Sequence, residues 1–438
     1  MLMTILLGLL SGVCWWQIRL LGDPRASLAV FYGWYAAAFT CYLAMLWCIH
    51  RAQRTKSAAV WLGTAVIIVA ALAFRAILLP VTPILSDDIY RYLWDGRVQL
   101  AGINPYAYAP NDPALQGLRN ELWSSTNFSQ LRTIYPPVTQ QAFLLGAWLS
   151  PTLMGQKLVF VGAELIVVAC LVALLRLRNL SPLWVAAYAW HPLVILEIAG
   201  SGHNDTVGLA WLWAGLLAWQ LKHPALAAVG WAGALLSKYT TVILAPWWWF
   251  RRTARRWLIL FGALAALPIA CCPPIVTALF ESLSAMATRF ESNSSVYLLV
   301  ATAVRHPALA RLLVAGLWLA LVIWLARRQD DPLRFLLGAL AAAALLSPVL
   351  HPWYLVWVVP CFCFWRPTAL VALTGLVVLA YTVWPGYLAG GPWVVPTWAR
   401  LAEYVPVFAI GLWGWRSFDS SRATQSRVGD SLRIVVNE

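Results

Sequence analysis

Two adjacent carboxylates, Asp87 and Asp88, directly follow a long apolar run and open the polar stretch SDDIYRYLWDGRVQLAGINPY at residues 86–106. A carboxylate in such a place can act as a general base that takes the proton of a hydroxyl group. The same residues also suit a structural task, because Ser86 can cap a helix and acidic residues in a first turn complement the helix dipole. The sequence leaves open which of the two aspartates would be the base.

The stretch that begins at the aspartates is compatible with a helix whose two faces differ. Residues three and four positions apart share a helix face. One face would carry the polar and aromatic candidates Asp88, Arg91, Tyr92 and Asp95. The other face suits the surface of a membrane, and it would carry Tyr90, Leu93, Trp94 and Val98.

Further ionisable residues occur in the segment EIAGSGHND, which contains Glu197, His203, Asn204 and Asp205. Its glycines can end one helix, and Asn204 or Asp205 can cap the next. A tight hairpin explains the glycines but requires neither His203 nor Glu197. Because ionisable side chains at the edge of a membrane core are a functional hypothesis by default, we expect this segment to belong to the site.

Cations and aromatic residues supply the remaining candidates. Lys238 lies in GALLSKYTTVILAPWW, where a lysine either extends its ammonium group to the interface or meets an anion such as phosphate. Arg289 and His351 lie in polar segments and suit contact with an anionic head group, although a solvated loop charge is the competing interpretation. Tyr135 in IYPPV and Tyr354 in LHPWY are the aromatic candidates.

The composition places these residues in a membrane protein. The chain has 438 residues, of which 61% are hydrophobic and 11% are charged, and long apolar runs recur from end to end. This pattern predicts an all-α, polytopic transmembrane bundle of about 12–14 membrane segments. The 28 tryptophans suit the two membrane interfaces. Glu164, isolated in an apolar run, is expected only to pair helices.

A spanning helix needs about 20 apolar residues. The candidate spans are residues 2–20, 29–49, 58–80, 156–176, 182–200, 206–221, 257–275, 308–326, 333–350, 352–366, 368–385 and 398–416. Residues 224–250 form either one long span or two short helices that meet near Ser237 and Lys238. The N-terminus lacks a basic region, so a cleaved signal peptide is not expected.

The net charge of +14 reflects membrane topology, because the basic residues form short clusters between the apolar runs. We therefore expect no binding to nucleic acid. Placing the basic clusters on the cytoplasmic side leaves these segments outside: residues 81–135, 201–205, 276–307, 351 and 386–397. This assignment, which uses only Arg and Lys, brings the acidic and histidine-containing segments to one side of the membrane.

The same assignment fixes the expected domain organisation. Residues 1–416 form one integral membrane domain with a large catalytic outer loop at 81–135, and residues 417–438 form a disordered cytoplasmic tail. Residues 137–153 are apolar but short. The chain must cross the membrane an odd number of times between the outer loop and Arg176. Residues 137–153 therefore form a re-entrant or interfacial helix, or Arg176 breaks the positive-inside rule.

An outer pocket with carboxylates, cations and an aromatic floor suits sugar transfer from a lipid phosphate. A carboxylate would activate the acceptor hydroxyl, and cations would stabilise the departing phosphate. No P-loop or Rossmann signature indicates a nucleotide site. The eight cysteines contain no C-x-x-C pair, so neither a metal site nor a disulfide framework is expected.

These motifs resemble those of the polytopic glycosyltransferases of superfamily C, and above all the bacterial mannosyltransferases that use polyprenyl-phosphate mannose. The resemblance covers roughly residues 60–365 and consists of SDDIYRYLWDGRVQLAGINPY, IYPPV, GHND, LLSKYTTVILAP and LHPWYLVW, in that order. It departs from the superfamily at the start, where hydropathy indicates about three helices before the acidic loop and not one.

The resemblance implies an inverting transfer of a hexose, mannose above all, from a polyprenyl-phosphate donor to a glycolipid or glycan acceptor. Asp87 or Asp88 would be the base, and His203, Asn204, Asp205 and Lys238 would lie near the pocket. The enzyme would lie in the inner (plasma) membrane among membrane lipids, with its site extracytoplasmic. Some members of the superfamily use divalent Mg or Mn and others do not. Too few ligands are evident here to predict a metal ion.

Two other classes fit part of the pattern. A transporter or flippase of lipid-linked precursors would also place charges in a membrane cavity, but it should carry them near the middle of several helices and often shows inverted repeats. A polytopic acyl- or phosphotransferase is the third class. Dependence on a lipid-linked sugar donor separates the three.

Overall fold

The structure, a computed structural model, describes residues 2–51, 57–83 and 85–414, with no strand among them. The expected all-α class is therefore confirmed. The proposed tail at residues 417–438 lies outside the described residues and stays a prediction.

The first half of the chain contains six helices that the site depends on. They are α1 (Leu2–Leu20), α2 (Leu28–Arg51), α3 (Ser57–Leu78), α4 (Asp88–Leu100), α5 (Pro137–Leu149) and α6 (Leu153–Leu177). The later helices are Asp205–Gln220, Pro224–Leu235, Ala245–Phe250, Leu258–Cys271, Pro274–Arg289, Val296–Val304, Pro307–Arg328, Pro332–Leu346, Thr368–Leu376, Val383–Leu388 and residues 397–414. Short helical turns connect them.

Seven helices of the described chain are long and apolar enough to cross a membrane, or eight if the bent pair Pro182–Ala189 and Pro192–Gly200 is one span. The chain is thus a multi-pass membrane protein. Fewer helices pass this test than the expected segments because several of those segments are short or irregular. Residues 206–221 become a helix of 16 residues, and residues 352–366 become two 3-10 turns.

The ambiguous segment 224–250 is two helices with a break at Lys238. The break exposes backbone carbonyl groups that the start of α5 satisfies. The amide of Val138 donates to the Leu236 carbonyl (2.9 Å), and the hydroxyl of Thr139 donates to the Ser237 carbonyl (2.7 Å). These bonds connect the Lys238 turn to α5 and pair carbonyl groups that would be costly to bury without a partner.

Helix α5 has 13 residues, which is about 20 Å and short of a bilayer core of about 30 Å. It packs closely between α4 and α6: a Cβ atom at Gly96 of α4 would lie 2.3 Å from the Phe143 carbonyl oxygen, and Gln156 of α6 donates to the same oxygen (2.9 Å). The re-entrant or interfacial alternative for residues 137–153 therefore fits the structure.

The basic clusters that the sequence groups on one side also meet in space. Arg178 binds Asp331 through both guanidinium nitrogens at 2.7 and 2.8 Å, and Arg251 binds Asp330 at 3.0 Å. Arg334 lies over the ring of Trp365 at 5.2 Å. Three separate basic clusters thus meet in space.

A buried ion pair joins α3 to α6. Arg75 binds Glu164 at 2.5 Å, both side chains are almost fully buried, and Arg75 also donates to the Ala189 carbonyl (2.7 Å). The sequence predicts helix pairing for Glu164 but not its partner, because Arg75 lies in a stretch that hydropathy assigns to a span.

Replacing one member of this pair should destabilise the bundle more than replacing both. Glu164→Gln leaves the Arg75 charge buried without its counter-ion, which costs about 3–5 kcal/mol. The double variant Arg75→Met, Glu164→Gln removes both charges and should recover part of that loss. Thermal unfolding in detergent checks this, and equal midpoints for the single and double variants would contradict it.

Candidate active site

The paired aspartates lie at the start of α4, where one amide group holds them together. The side-chain nitrogen of Asn127 donates to Asp87 Oδ1 (3.0 Å) and to Asp88 Oδ1 (2.7 Å). The hydroxyl of Ser86 accepts a hydrogen bond from the Asp88 amide (3.3 Å), but the N-cap position is held by Asp87, which makes no side-chain cap bond. One donor therefore fixes the separation and orientation of two like charges.

Asp88 is the more enclosed of the two carboxylates. Its side chain is 22% exposed, whereas Asp87 is open to the surface. Burial and the neighbouring charge of Asp87 raise the pKa of Asp88 to about 7, although the hydrogen bond from Asn127 acts in the opposite direction. A group with this pKa can accept and release a proton near neutral pH.

His203 lies behind Asp88 and connects it to a buried acid. The histidine Nδ1 is 3.8 Å from Asp88 Oδ2, and its Nε2 is 3.4 Å from Glu197 Oε2. Glu197 Oε1 accepts a hydrogen bond from the Tyr381 hydroxyl (2.7 Å). Burial and the charge of Lys238 hold the pKa of His203 well below its usual range, so the ring is neutral and has one donor nitrogen and one acceptor nitrogen.

The GHND loop reaches Asp88 because Gly202 allows the close approach. Gly202 has a φ of +74°, and a Cβ atom there would lie 2.4 Å from Ile89 Cδ1 of α4. The amide of the next residue, His203, donates to the Glu197 carbonyl (2.9 Å). A residue with a side chain would be strained at this positive φ and would have to displace the end of the Ile89 side chain.

Lys238 and Asp205 form an ion pair beside the aspartates. Lys238 Nζ donates to Asp205 Oδ1, and the indole N–H of Trp357 donates to the same oxygen. Asp205 is buried, while the Lys238 side chain remains 26% exposed and its ammonium lies 5.3 Å from the centre of the Tyr354 ring. The lysine therefore keeps an open side, next to Asn204 and Asp205 at the start of their helix.

An aromatic stack brings the LHPWY motif into the site. The ring of Trp353 stacks on His203 at 4.1 Å and on His351 at 4.4 Å. Burial and the charge of Lys238 lower the pKa of His351 to about 4. The sequence analysis does not identify Trp353 as a site residue, although its position between His351 and Tyr354 indicates that it lies near them.

Arg91 and Asp95 lie in the protein interior, outside the open part of the site. Both are buried and bind each other at 3.0 Å. Arg91 donates to the carbonyls of Phe128 (3.1 Å) and Leu131 (2.9 Å), while Asp95 accepts from Gln140 (2.8 Å). These contacts fasten the segment that carries Asn127 onto α4, so the pair positions the site without facing it.

The other candidates are distributed as follows. Tyr92 stacks on Phe143 at 4.6 Å, and its hydroxyl donates to Asp88 Oδ2 at 3.5 Å. Tyr135 packs edge-on against Tyr92 at 5.1 Å. Arg289 ends its helix, and its side chain lies outside the described residues.

The sequence analysis does not identify Asn127, since nothing in the sequence distinguishes it from the other polar residues of the loop.

The second face of α4 does not lie on a membrane surface as expected. Leu93, Trp94 and Val98 are 6%, 3% and 2% exposed. Trp94 and Val98 pack with Leu115 of the outer loop. The sequence pattern is that of an amphipathic helix, but the loop covers the apolar face in place of lipid. Hydropathy alone does not distinguish the two coverings.

The described residues contain no group of three or more His, Cys, Asp or Glu side chains arranged to hold a metal ion. What they bring together is a carboxylate that titrates near neutrality, a neutral histidine and a partly exposed lysine. These groups can move a proton and bind an anion.

A multi-pass helical bundle with this set of groups at the ends of its helices suits a polytopic glycosyltransferase. The family model described as alpha-(1->6)-mannopyranosyltransferase, N-terminal domain, of the MptA_B family matches residues 11–251. The chain belongs to this family, which supports a mannosyltransferase activity with a sugar donor and an acceptor as substrates. No curated protein matches the chain.

Adding a methyl group at Gly202 should disrupt the site. Gly202→Ala strains the backbone and pushes against Ile89, which moves His203 relative to Asp88. A misplacement of about 1 Å in an active site lowers turnover by about 100-fold. Rates of mannose transfer measure the effect. Gly162→Ala in α6, where a Cβ atom meets nothing within 4 Å, is the matched control and should keep its activity. Equal rates for both variants would exclude this role for Gly202.

Proposed function

We propose that the protein transfers mannose from a polyprenyl-phosphate donor to a glycolipid or glycan acceptor on the extracytoplasmic face of the plasma membrane, with inversion at the anomeric carbon. The observation that carries this proposal is Asp88: a half-buried carboxylate, fixed by Asn127, with its pKa raised to about 7. A general base works best when its pKa is near the pH of reaction.

The proposed reaction is a single displacement. Asp88 takes the proton of the acceptor hydroxyl while the oxygen of that hydroxyl forms a bond to the anomeric carbon of the donor sugar. The bond between that carbon and the phosphate oxygen breaks, and its electron pair leaves with the phosphate. Attack on the face opposite the leaving group inverts the configuration. The protonated Asp88 then releases its proton to water.

Asp88 suits the role of base better than Asp87 for two reasons. Its Oδ1 is fixed by Asn127, while its Oδ2 lies 3.5 Å from the Tyr92 hydroxyl and 3.8 Å from His203 Nδ1. Asp87 contacts Asn127 but neither of the other two groups. Its charge raises the pKa of Asp88, so we assign it the task of keeping that carboxylate basic.

Lys238 is the proposed partner of the donor phosphate. Its ammonium is partly exposed between Asp205 and the Tyr354 ring, and a desolvated cation stabilises negative charge that develops on a leaving group. The Asp205 carboxylate and the Trp357 indole fix the lysine from the buried side. A polyprenyl tail would remain in the bilayer while its phosphate reaches this cation.

The charge distribution supports the extracytoplasmic side. The segments with Arg178, Arg251 and Arg334 meet one another and contain none of the candidate site residues, and the positive-inside rule assigns such basic clusters to the cytoplasm. Nucleotide sugars are scarce outside the cytoplasm, so the activated sugar would have to arrive on a lipid.

The proposed step needs no metal ion, because the proton passes to Asp88 and Lys238 faces the phosphate. Transfer rates should therefore be unchanged when the purified protein is assayed in excess EDTA. Loss of activity in EDTA and recovery with Mg or Mn would contradict this part of the proposal.

The function is tested with synthetic polyprenyl-phosphate mannose and a panel of glycolipid acceptors. Wild type should release polyprenyl phosphate in the presence of an acceptor. Asp88→Asn should lower the rate by about 100-fold to 10,000-fold, the range for loss of a general base. Asp87→Asn should retain measurable turnover. Turnover by Asp88→Asn but not by Asp87→Asn would reverse the assignment, and an inert wild type would favour a transporter.

The pH profile of kcat/KM should show the ionisation of Asp88. Only the deprotonated carboxylate can take a proton, so the rate should rise with pH and level off above about 7. Asp87→Asn removes a neighbouring negative charge, which lowers the pKa of Asp88 and should move the rising limb to lower pH. A profile in Asp87→Asn identical to that of wild type would show that the two carboxylates are not coupled.

A further inference from the structure

A cavity lies on the face of α4 that points away from Asp88. Its volume is about 440 Å³, and its walls come from α4, from residues 120–126 of the outer loop and from the turn between α5 and α6. This volume is within the range of small-ligand sites, about 300–1,000 Å³. Apolar and aromatic walls are supplied by Tyr90, Leu93, Trp94 and Trp123.

Polar groups without partners converge on this cavity. The hydroxyl of Thr126 is buried and has no hydrogen-bond partner, and the residue is only 8% exposed. Among the residues that the structure describes, the half-buried guanidinium of Arg97 and the solvent-exposed side-chain amide of Asn120 also have no protein partner. A buried hydroxyl left unpaired costs free energy, which a ligand that supplies a hydrogen bond would recover.

We propose that this cavity binds a hexose residue of the acceptor glycan, one other than the residue whose hydroxyl is attacked. The inference rests on the proposed function. A hexose has C–H faces that pack on aromatic rings and hydroxyl groups that both donate and accept hydrogen bonds. A lipid tail would leave the Thr126 hydroxyl unpaired and would cover the half-buried guanidinium of Arg97. A phosphate would find only one cation, Arg97.

The cavity is linked to the aspartates by sequence and by contact. Thr126, in its wall, directly precedes Asn127, whose amide holds both Asp87 and Asp88. Tyr90, also in the wall, is two residues from Asp88 on α4. A helix with its side chains is about 10–12 Å wide. An acceptor must therefore contain more than one sugar unit to occupy the cavity while it presents a hydroxyl to Asp88.

The test compares acceptors that differ only in glycan length. Initial rates are measured with octyl glycosides that carry one or four α-1,6-linked mannose units. The cavity variants are Arg97→Met and Thr126→Val. Arg132→Met is the matched control, because Arg132 lies in the same loop, outside the cavity, in a surface pair with Glu281 at 3.7 Å.

The cavity variants should raise KM for the four-unit acceptor about tenfold, the value of one hydrogen bond to a charged or buried group. KM for the one-unit acceptor and for the donor should not change, and Arg132→Met should match wild type. Unchanged KM values in both cavity variants would overturn the inference while the proposed function stands. An equal loss for both acceptors would also overturn it, since that indicates general damage to the site.

A separate binding measurement keeps this inference distinct from the proposed function. If wild type transfers no mannose from the lipid donor, the proposed function fails. Saturation-transfer NMR then tests whether the four-unit glycoside binds in the cavity, independently of any transfer reaction. A signal in wild type that weakens in Arg97→Met supports glycan binding at this place, and signals of equal strength in the two proteins exclude it.

Discussion

The site depends on two like charges that a single amide group holds at the start of one helix. Asn127 donates to both Asp87 and Asp88 and thereby fixes carboxylates that would otherwise repel each other. The partial burial of Asp88 and the neighbouring charge of Asp87 raise the pKa of Asp88 to about 7. The chemistry we propose follows from this arrangement, because a base of lower pKa would take a hydroxyl proton less readily.

Much of the surrounding structure keeps this arrangement in place. The buried pair of Arg91 and Asp95 holds the segment that carries Asn127 onto α4. Gly202 lets the GHND loop approach α4 so that His203 lies behind Asp88. The break at Lys238 is satisfied by the start of α5, which packs against α4 through Gly96. Short helices and irregular turns, unsuited to spanning a membrane, are thus used to carry the polar groups.

The sequence predicts the class and most of the site, but not its internal connections. Hydropathy and charge are local properties, and they are enough to predict an all-α membrane protein and to predict that Asp88, His203 and His351 lie on one side. Contacts between distant residues leave no local pattern, so Asn127, Trp353 and the partner of Glu164 were missed. Arg91 and Asp95 were predicted from helix spacing to contact substrate, yet spacing does not show that a loop covers them. The same limit explains the expected lipid contact of Trp94.

The stereochemistry of transfer distinguishes the proposed single displacement from other mechanisms, because a single base and a direct attack permit only one outcome. The measurement uses a polyprenyl-phosphate mannose of defined anomeric configuration and determines the configuration of the new linkage by NMR of the purified product. The account predicts the opposite configuration: a β-linked donor should give an α-linked product. Retention of the donor configuration would require a covalent intermediate or a front-face attack, and it would contradict the role assigned to Asp88.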